Sequence, residues 1–174
     1  MLEYDKTLPE VLVVGAGPVG LSAALFLAKN GIRVQIVDNE RQHSPHSYAL
    51  ALHSHSLKLF DELGLLNKIL EQSYRVRTIG LYDGEERRFE MGLAKLEEDF
   101  SFLAVIPQHT FEDILKNALN DLGVKVLWNH RIVQCRSGSD CVSVEIDKMA
   151  TGTTAFADAR NKEAVVKSAM LDVP

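Results

Sequence analysis

The sequence predicts an α/β fold: a parallel sheet joined to an antiparallel meander and to part of a second sheet. The segment VLVVGAGPVGLSAALFLAKNGIRVQIVDNE at 11–40 alternates an apolar strand, a glycine-rich turn, an apolar helix and a second apolar strand. A further strand, helix and strand occupy 101–128, and short segments separated by turns follow them. The 174 residues suffice for one domain with an apolar core.

Composition and charge exclude several classes of protein. Hydrophobic residues make up 46% and charged residues 25%, which is typical of globular chains. The net charge of −5 and the absence of basic clusters argue against a nucleic-acid partner. No apolar run reaches the roughly 18 residues of a membrane helix. The N-terminal MLEYDKTLPE lacks the features of a signal peptide, so we expect a cytoplasmic protein.

The first strand is predicted at Val11–Val14, because the run is short, β-branched and apolar without alternation. A helix from 18 to 30 follows, ended by Gly31. This helix is apolar nearly all round, so we expect it to be buried. The second buried strand is predicted at Val34–Val37.

The middle of the chain begins with a polar loop at 39–48. A helix is predicted at 50–63, and a short helical turn at 65–71. The hydrophobic pattern then changes to a hairpin around the Asp83-Gly84 turn. Another strand is predicted at 101–106.

The strongest helical pattern of the chain lies at 110–122, where Thr110 is in position to cap the helix and Asp113 stands three residues later. Val124–Trp128 follows as a third strand, expected to be parallel to the first two. The remaining predicted strands are Arg131–Arg136, Cys141–Asp147, Thr153–Ala157 and Val165–Leu171.

The two cysteines, Cys135 and Cys141, flank a predicted turn. A cross-strand disulfide is geometrically conceivable. Two free thiols are the favoured alternative, because no secretory signal accompanies them.

The glycine-rich turn has the spacing G-x-G-x-x-G between a strand and a helix. Gly15 permits the tight turn, Gly17 lets a pyrophosphate approach the backbone, and Gly20 lets the helix pack closely on the strand. The helix N-terminus offers free N–H groups and a partial positive charge to phosphates. The candidate phosphate-binding residues are Gly15, Ala16, Gly17, Pro18, Val19 and Gly20.

An acid ends the second strand, since Asp38 lies 18 residues after Gly20. A carboxylate there can accept the ribose hydroxyls of an adenosine and repels a 2′-phosphate, which favours FAD or NAD over NADP. Asn39, the next residue, joins the candidate site. A tight packing turn without a ligand is the alternative, but it leaves Asp38 unexplained. FAD is favoured over NAD because an antiparallel hairpin and a meander interrupt the βαβ pattern.

The chain resembles the flavoprotein monooxygenases of the para-hydroxybenzoate hydroxylase type, the class A aromatic-ring hydroxylases. The residues that carry the resemblance are those at 11–38, ALALHSHSLKLFDELGLLNKI at 49–69 and VIPQHTFEDILKNALNDLGVKVLWNHRIV at 105–133. The resemblance spans residues 10 to about 171. Tyr48 and His55 stand where family members often have arginines.

The resemblance implies FAD as cofactor, NADH or NADPH as co-substrate, and insertion of one oxygen from O₂ into a small, usually aromatic substrate. It implies that Gln108, in the "IPQ…E..L" pattern with Glu112, contacts the flavin-linked phosphates or the ribityl chain. It also implies main-chain contacts from Val133 to the adenine, although a core role for Val133 fits equally well. No catalytic residue is assigned.

The resemblance further implies a truncated FAD-binding domain over 1–174. Its parts are the ADP-binding βαβ unit at 10–40, a hairpin and strand of the substrate domain at 76–106, and a helix, third strand and meander at 107–171. The family's later Asp-Gly and Gly-Asp fingerprints are absent. A non-catalytic nucleotide-binding fragment and another flavin oxidoreductase of this fold remain alternatives. An exposed sheet edge predicts self-association.

Four histidines, at 43, 46, 53 and 55, lie close together in sequence. Side chains at these spacings do not point to one common site, and no cysteine or cluster of acids nearby in the sequence adds further metal ligands. We therefore predict no metal site. His109 and His130 are expected to be surface or hydrogen-bonded residues.

Overall fold

A computed structural model describes residues 8–41, 48–93, 99–139, 141–149 and 165–173. The chain divides into two compact units. The first comprises Met1–Ser44 and Leu115–Pro174, and the second is Pro45–Ile114. In chain order the described elements are β1 (Val11–Val14), α1 (Pro18–Lys29), β2 (Val34–Asp38), β3 (Ala49–Leu52), α2 (Ser54–Glu62), α3 (Leu66–Glu71), β4 (Tyr74–Val76), β5 (Thr78–Asp83), β6 (Glu86–Gly92), β7 (Leu103–Pro107), α4 (Gln108–Asp121), β8 (Val126–Trp128), β9 (His130–Ser137), β10 (Val142–Met149) and β11 (Val165–Val173).

The first unit contains the parallel sheet that the sequence predicts, with strand order β1-β2-β8. Val11 pairs with Val34, and Ile36 pairs with Val126, both in parallel. The third parallel strand is confirmed, although it begins two residues later than the pattern indicated. The carboxyl ends of the three strands therefore lie at one edge, which is where ligands bind in open α/β sheets.

The antiparallel meander is confirmed as a sheet of order β11-β10-β9. Its inward residues form a core with the parallel sheet. Successive strand residues face opposite sides, so one face of β1 and β2 contacts the meander and the other is left for α1. That core comprises Val37, Val144, Ile146, Leu171 and Val173, with Leu12, Leu127 and Ile132 packed against it. The strand predicted at Thr153–Ala157 lies outside the described residues.

Helix α1 buries only one side, and the expectation that it is buried all round is wrong. Leu21, Ala24 and Leu25 are fully buried, whereas Val19 is 83% and Phe26 45% exposed. The small residues of the buried side allow close contact with the sheet. The predicted end at Gly31 is confirmed, since this glycine has φ +80°.

The second unit contains a sheet of order β3-β7-β4 and the two-stranded hairpin of β5 and β6. The helix predicted at 50–63 is wrong over its first turn, because Ala49–Leu52 is a strand that pairs antiparallel with β7. The helix itself begins at Ser54. The predicted hairpin is confirmed, with Gly84 at φ +60° in its turn.

Helix α4 begins at Gln108, two residues before the predicted cap. Pro107 ends β7 directly before it. Thr110 therefore lies inside the first turn, where its hydroxyl contacts the ring of His109 instead of capping the helix. On the next turn Phe111 packs edge-on against Phe60, with ring centroids 5.1 Å apart.

Two further expectations concern the whole chain. Cys135 and Cys141 are both free thiols, which confirms the favoured alternative. Their positions explain this, because Cys135 pairs in register with Val144, three residues beyond Cys141. Among the described helices none is long and apolar enough to cross a membrane.

Candidate nucleotide-binding site

The glycine turn lies between the carboxyl end of β1 and the N-terminus of α1. Gly15 has φ +100°, a conformation that residues with a Cβ rarely adopt. Its N–H donates to the carbonyl of Val37 at 2.8 Å, so the turn is anchored to the neighbouring strand. The turn is thus held at the edge of the sheet where the parallel strands end.

The other two glycines of the motif differ in what surrounds them. A Cβ on Gly20 would lie 2.0 Å from the carbonyl oxygen of Gly15, so only glycine fits where α1 crosses β1. A Cβ on Gly17 would meet nothing within 4 Å. Packing therefore explains Gly20, but it does not explain why Gly17 lacks a side chain. An open space beside the backbone is what a pyrophosphate requires.

The N-terminus of α1 is available to an anion. Gly17 is the N-cap residue and makes no side-chain capping hydrogen bond, and the first turn contains no acidic residue. Pro18 occupies the start of the helix, where its missing N–H costs nothing. The free N–H groups and the helix dipole favour a phosphate at this end.

Asp38 fixes the turn to the end of β2. Its Oδ2 accepts the backbone N–H of Ala16 at 2.5 Å, and its Oδ1 accepts the N–H of Glu40 at 2.7 Å. A carboxylate oxygen has two lone pairs, so each retains capacity for a ligand hydroxyl. Asn39 follows and is exposed. On the other side of β2, Trp128 is the register partner of Asp38.

Val133 occupies a β-bulge. Gln134 pairs with Glu145 and Ile132 with Ile146, which leaves Val133 between them without a partner on β10. Its side chain is 51% exposed, so it is not a core residue. Bulges occur preferentially beside functional sites, because they free backbone groups from the ladder.

Gln108 lies in the second unit, as the first residue of α4. Its backbone N–H donates to the carbonyl of Tyr48 at 2.7 Å. Its side-chain Nε2 donates to Oε1 of Glu112 at 2.8 Å, one helical turn later. Glu112 is only 4% exposed. The buried carboxylate therefore orients the amide of Gln108, a pairing that the sequence analysis does not predict.

His130 is buried and hydrogen-bonded at only one of its ring nitrogens, so the expectation of a surface or hydrogen-bonded histidine is met in part. The residue is 5% exposed, and its Nδ1 lies 2.7 Å from the carbonyl oxygen of Trp128. Its Nε2 is buried and has no hydrogen-bond partner in the described part of the chain. The preceding Asn129, with φ +60°, donates its N–H to the carbonyl of Glu40, which ties this turn to the residues after Asp38.

The predicted site residues thus fall into two groups. The first unit brings together Gly15, Ala16, Gly17, Pro18, Val19, Gly20, Asp38 and Asn39 at one sheet edge, and it also contains Val133. The second unit contains Gln108. Among the described residues no group of three or more metal-ligating side chains converges, and His43 and His46 lie outside those residues.

The donor set fits the adenosine diphosphate half of a dinucleotide. The N-terminus of α1 has no side-chain cap, the backbone is open at Gly17, and the carboxylate of Asp38 lies beside the same turn. This is the arrangement that a pyrophosphate and a ribose require. Positively charged side chains are not needed, because backbone N–H groups supply the donors.

Comparison with known proteins identifies the family to which the chain belongs. Residues 9–160 match the family model described as FAD binding domain. The chain is 31% identical over 140 residues to 6-methylpretetramide 4-monooxygenase of Streptomyces rimosus, covering 79% of this chain and 25% of that protein. It is 30% identical over 144 residues to para-nitrophenol 4-monooxygenase of a Pseudomonas species, covering 80% of this chain and 36% of that protein.

A solved structure shares the fold over most of the chain. The crystal structure of p-nitrophenol 4-monooxygenase from Pseudomonas putida superposes with a TM-score of 0.77 at 29% identity. The match covers 81% of this chain and 37% of that one. The chain thus spans about a quarter to a third of the length of the curated relatives named above. With the family model matching most of its residues, the chain belongs to the FAD binding domain family.

Proposed function

We propose that this chain binds FAD and forms the N-terminal, cofactor-binding part of a flavoprotein monooxygenase. The single observation that carries the proposal is the open space beside Gly17 at the uncapped N-terminus of α1. A purely structural turn would gain stability from a side chain or a cap at that position. A diphosphate accounts for both features.

The adenosine half of the cofactor is assigned to the first unit. The N–H groups at the start of α1 would bind the pyrophosphate, and Asp38 would accept the ribose hydroxyls beside its two backbone hydrogen bonds. Asn39 borders this ribose position. The unpaired bulge at Val133 supports main-chain contacts to the adenine, as does its exposure.

Gln108 is assigned to the flavin-linked phosphate or the ribityl chain. With Nε2 oriented by the buried Glu112, the amide keeps its Oε1 and one N–H for a ligand. An amide that is oriented before binding loses less side-chain entropy on contact.

The reaction is proposed as hydroxylation of a small aromatic substrate. When bound, FAD supplies the redox chemistry: it takes up electrons from NAD(P)H and activates O₂. The residues of this chain bind and orient the nucleotide. Relatives named for the oxidation of para-nitrophenol and 6-methylpretetramide support an aromatic substrate. The assignment of residues 76–106 to a substrate domain is likewise proposed.

Nucleotide selectivity tests this proposal. FAD and ADP should bind the purified chain and compete with each other, because both carry the adenosine diphosphate group. FMN, which lacks the adenosine half, should bind much more weakly. Equal binding of FMN and FAD, or failure of ADP to displace FAD, would refute the assigned site. In an NMR titration with ADP, the backbone amide resonance of Val133 should shift. An unchanged resonance would show that Val133 does not contact the nucleotide.

Two other properties stay proposals. We propose that the chain associates with itself through a free edge of the parallel sheet, since β1 pairs only with β2 among the described strands. We also propose a cytoplasmic location, which the free thiols of Cys135 and Cys141 support. No nucleic-acid partner is proposed.

A further inference from the structure

A series of hydrogen bonds links the meander to the glycine turn through the residues that follow Asp38. The backbone N–H of Met149 on β10 donates to the carbonyl of Asn129 at 2.8 Å, and the N–H of Asn129 donates to the carbonyl of Glu40 at 2.9 Å. The N–H of Glu40 donates to Oδ1 of Asp38 at 2.7 Å. Oδ2 of the same carboxylate accepts the N–H of Ala16. The series therefore runs through the carboxylate that we propose binds the ribose.

Glu40 is held by both of its backbone groups, although it lies outside the sheet. The pairing of β2 with β8 ends at Asp38 and Trp128, so Glu40 lies two residues beyond the last pair. The residue is exposed, and the backbone of an exposed loop ordinarily bonds to water. Here its N–H bonds to Asp38 and its carbonyl to Asn129. The Asn129 bond therefore restrains the donor that orients the carboxylate of Asp38.

Asn129 has a backbone conformation that most residues avoid. Its φ of +60° is the only positive value at a non-glycine residue in the described ranges. Asparagine tolerates this left-handed conformation better than most residues with a Cβ. The conformation turns the chain from β8 into β9 and leaves the N–H of Asn129 bonded to Glu40.

The residues on either side of Asn129 hold this turn in place. Nδ1 of His130 lies 2.7 Å from the carbonyl oxygen of Trp128. A carbonyl oxygen can only accept, so Nδ1 carries the proton and donates it. The His130 ring is buried, and Trp128 is paired in register with Asp38. The turn is thus fixed to the same strand end as the acid.

We propose that Asn129 is a positioning residue for the ribose of the bound nucleotide. It acts through Glu40, by holding the N–H that orients the carboxylate of Asp38. An acceptor that is oriented before binding loses less side-chain entropy when the ribose hydroxyls reach it. Successive hydrogen bonds in one series also polarise each other, which strengthens the bond at the carboxylate. The inference rests on the proposed function, because it takes Asp38 as the ribose acceptor.

The test compares ADP with 2′,3′-dideoxy-ADP, which keeps the adenine and the pyrophosphate but lacks both ribose hydroxyls. Calorimetric titration of the 174-residue chain should show ADP preferred by about tenfold, because hydrogen bonds to a carboxylate are lost with the analogue. Asn129→Val is the test variant, since a β-branched residue at this φ is sterically disfavoured. The preference for ADP should fall to about twofold or less, while the affinity for the analogue changes by less than about twofold.

Asn129→Gly is the matched control. Glycine adopts positive φ readily and keeps the backbone N–H, so this variant should retain the wild-type preference for ADP. A loss of preference in Asn129→Gly equal to that in Asn129→Val would overturn the inference, because the conformation at this position would then not decide the effect. Circular dichroism and urea unfolding check that both variants fold.

The outcomes separate this inference from the proposed function. Wild-type preference in a folded Asn129→Val chain, or equal losses of affinity for both nucleotides, would overturn the role of Asn129 and leave the nucleotide site intact. A wild-type chain that binds neither nucleotide would refute the proposed function, and the inference with it. Equal wild-type affinities for ADP and the analogue would show that Asp38 does not bind the ribose, which also overturns the inference.

Hydrogen exchange in the wild type provides a measurement that does not depend on the folding of any variant. At equal occupancy, ADP should slow exchange of the backbone amides of Glu40 and Asn129 more than the dideoxy analogue does. The reason is that the ribose hydroxyls hold the carboxylate to which Glu40 donates, and Glu40 in turn holds Asn129. Equal slowing by the two nucleotides would overturn the inference.

Discussion

Asp38 accepts the backbone N–H of Ala16 at 2.5 Å, across a separation of 22 residues. This bond joins the acid at the end of the second strand to the middle of the glycine motif. The acid thus has a structural role besides the ribose contact proposed for it. The same residue couples the shape of the glycine turn to the carboxylate that we propose binds the ribose.

Replacing Asp38 should lower both stability and affinity. Asp38→Ala removes acceptors from the N–H groups of Ala16 and Glu40, so we expect a loss of about 1–3 kcal/mol in the free energy of unfolding. Asp38→Asn keeps one acceptor oxygen, so its free energy of unfolding should lie between those of the wild type and Asp38→Ala. Urea unfolding and ADP titration measure the effects, and Asp61→Asn, on an exposed residue of α2, is the control. An Asp38→Ala variant with wild-type stability would contradict the anchoring role.

Substitution by alanine should destabilise the chain at Gly20 but hardly at Gly17, because the two glycines differ in their surroundings. Gly20→Ala brings a Cβ against the carbonyl oxygen of Gly15, and because backbone must move we expect destabilisation of about 1–3 kcal/mol. Gly17→Ala adds its methyl group to open space and should cost less than about 1 kcal/mol, the scale of an N-cap change. Thermal unfolding compares the pair. Equal losses would show that the contact at Gly20 does not limit packing.

Glu112 should act through the amide of Gln108. Glu112→Ala leaves that amide without its partner, so we expect the free energy of unfolding to fall by about 1–3 kcal/mol. Glu112→Gln keeps an acceptor oxygen at the same place and should lose much less. The difference between these two variants in urea unfolding isolates the hydrogen bond from burial. Variants of equal stability would mean that the bond contributes nothing.

Self-association through the sheet edge predicts a dependence on concentration. Light scattering should report a rise in mass as the chain is concentrated, since an unpaired edge strand offers free backbone groups. Val14→Lys is the test variant, because Val14 is 62% exposed at the end of β1 and a charge there opposes edge pairing. The variant should remain monomeric. A strictly monomeric wild-type chain at high concentration would contradict the prediction.

The sequence predicted the features that local chemistry determines. The glycine motif, the two strands beside it and the acid at 38 follow from spacing and hydrophobicity alone, and the structure has them in that order. The end of α1 also follows, because Gly31 adopts a conformation that favours glycine. These elements need no distant partner to be recognised.

Features that depend on distant pairing were missed or misplaced. Residues 50–52 were predicted as the start of a helix, and only their pairing with the distant strand β7 shows that they form a strand. Tyr74–Val76, also paired with β7, is too short to show a period. The bulge at Val133 arises from a register shift against β10, which no single strand can reveal.

Gln108, the candidate site residue of the second unit, could be predicted only through the resemblance to the family. Gln108 was assigned from the family pattern, since a glutamine after a strand has no distinctive chemistry by itself. Its orientation by Glu112 appears only in the structure. The exposed sides of α1 at Val19 and Phe26 likewise show that an apolar pattern predicts hydrophobicity but not what covers it.

The measurement that tests the central claim most directly is a titration of the chain and of Gly17→Val with FAD, followed by flavin fluorescence. The account predicts that the wild-type chain binds FAD and that Gly17→Val loses at least about tenfold in affinity, because its side chain fills the space assigned to the pyrophosphate. Unfolding curves of both chains serve as the control for folding. Equal affinities in two folded chains, or no FAD binding by the wild type, would contradict the account.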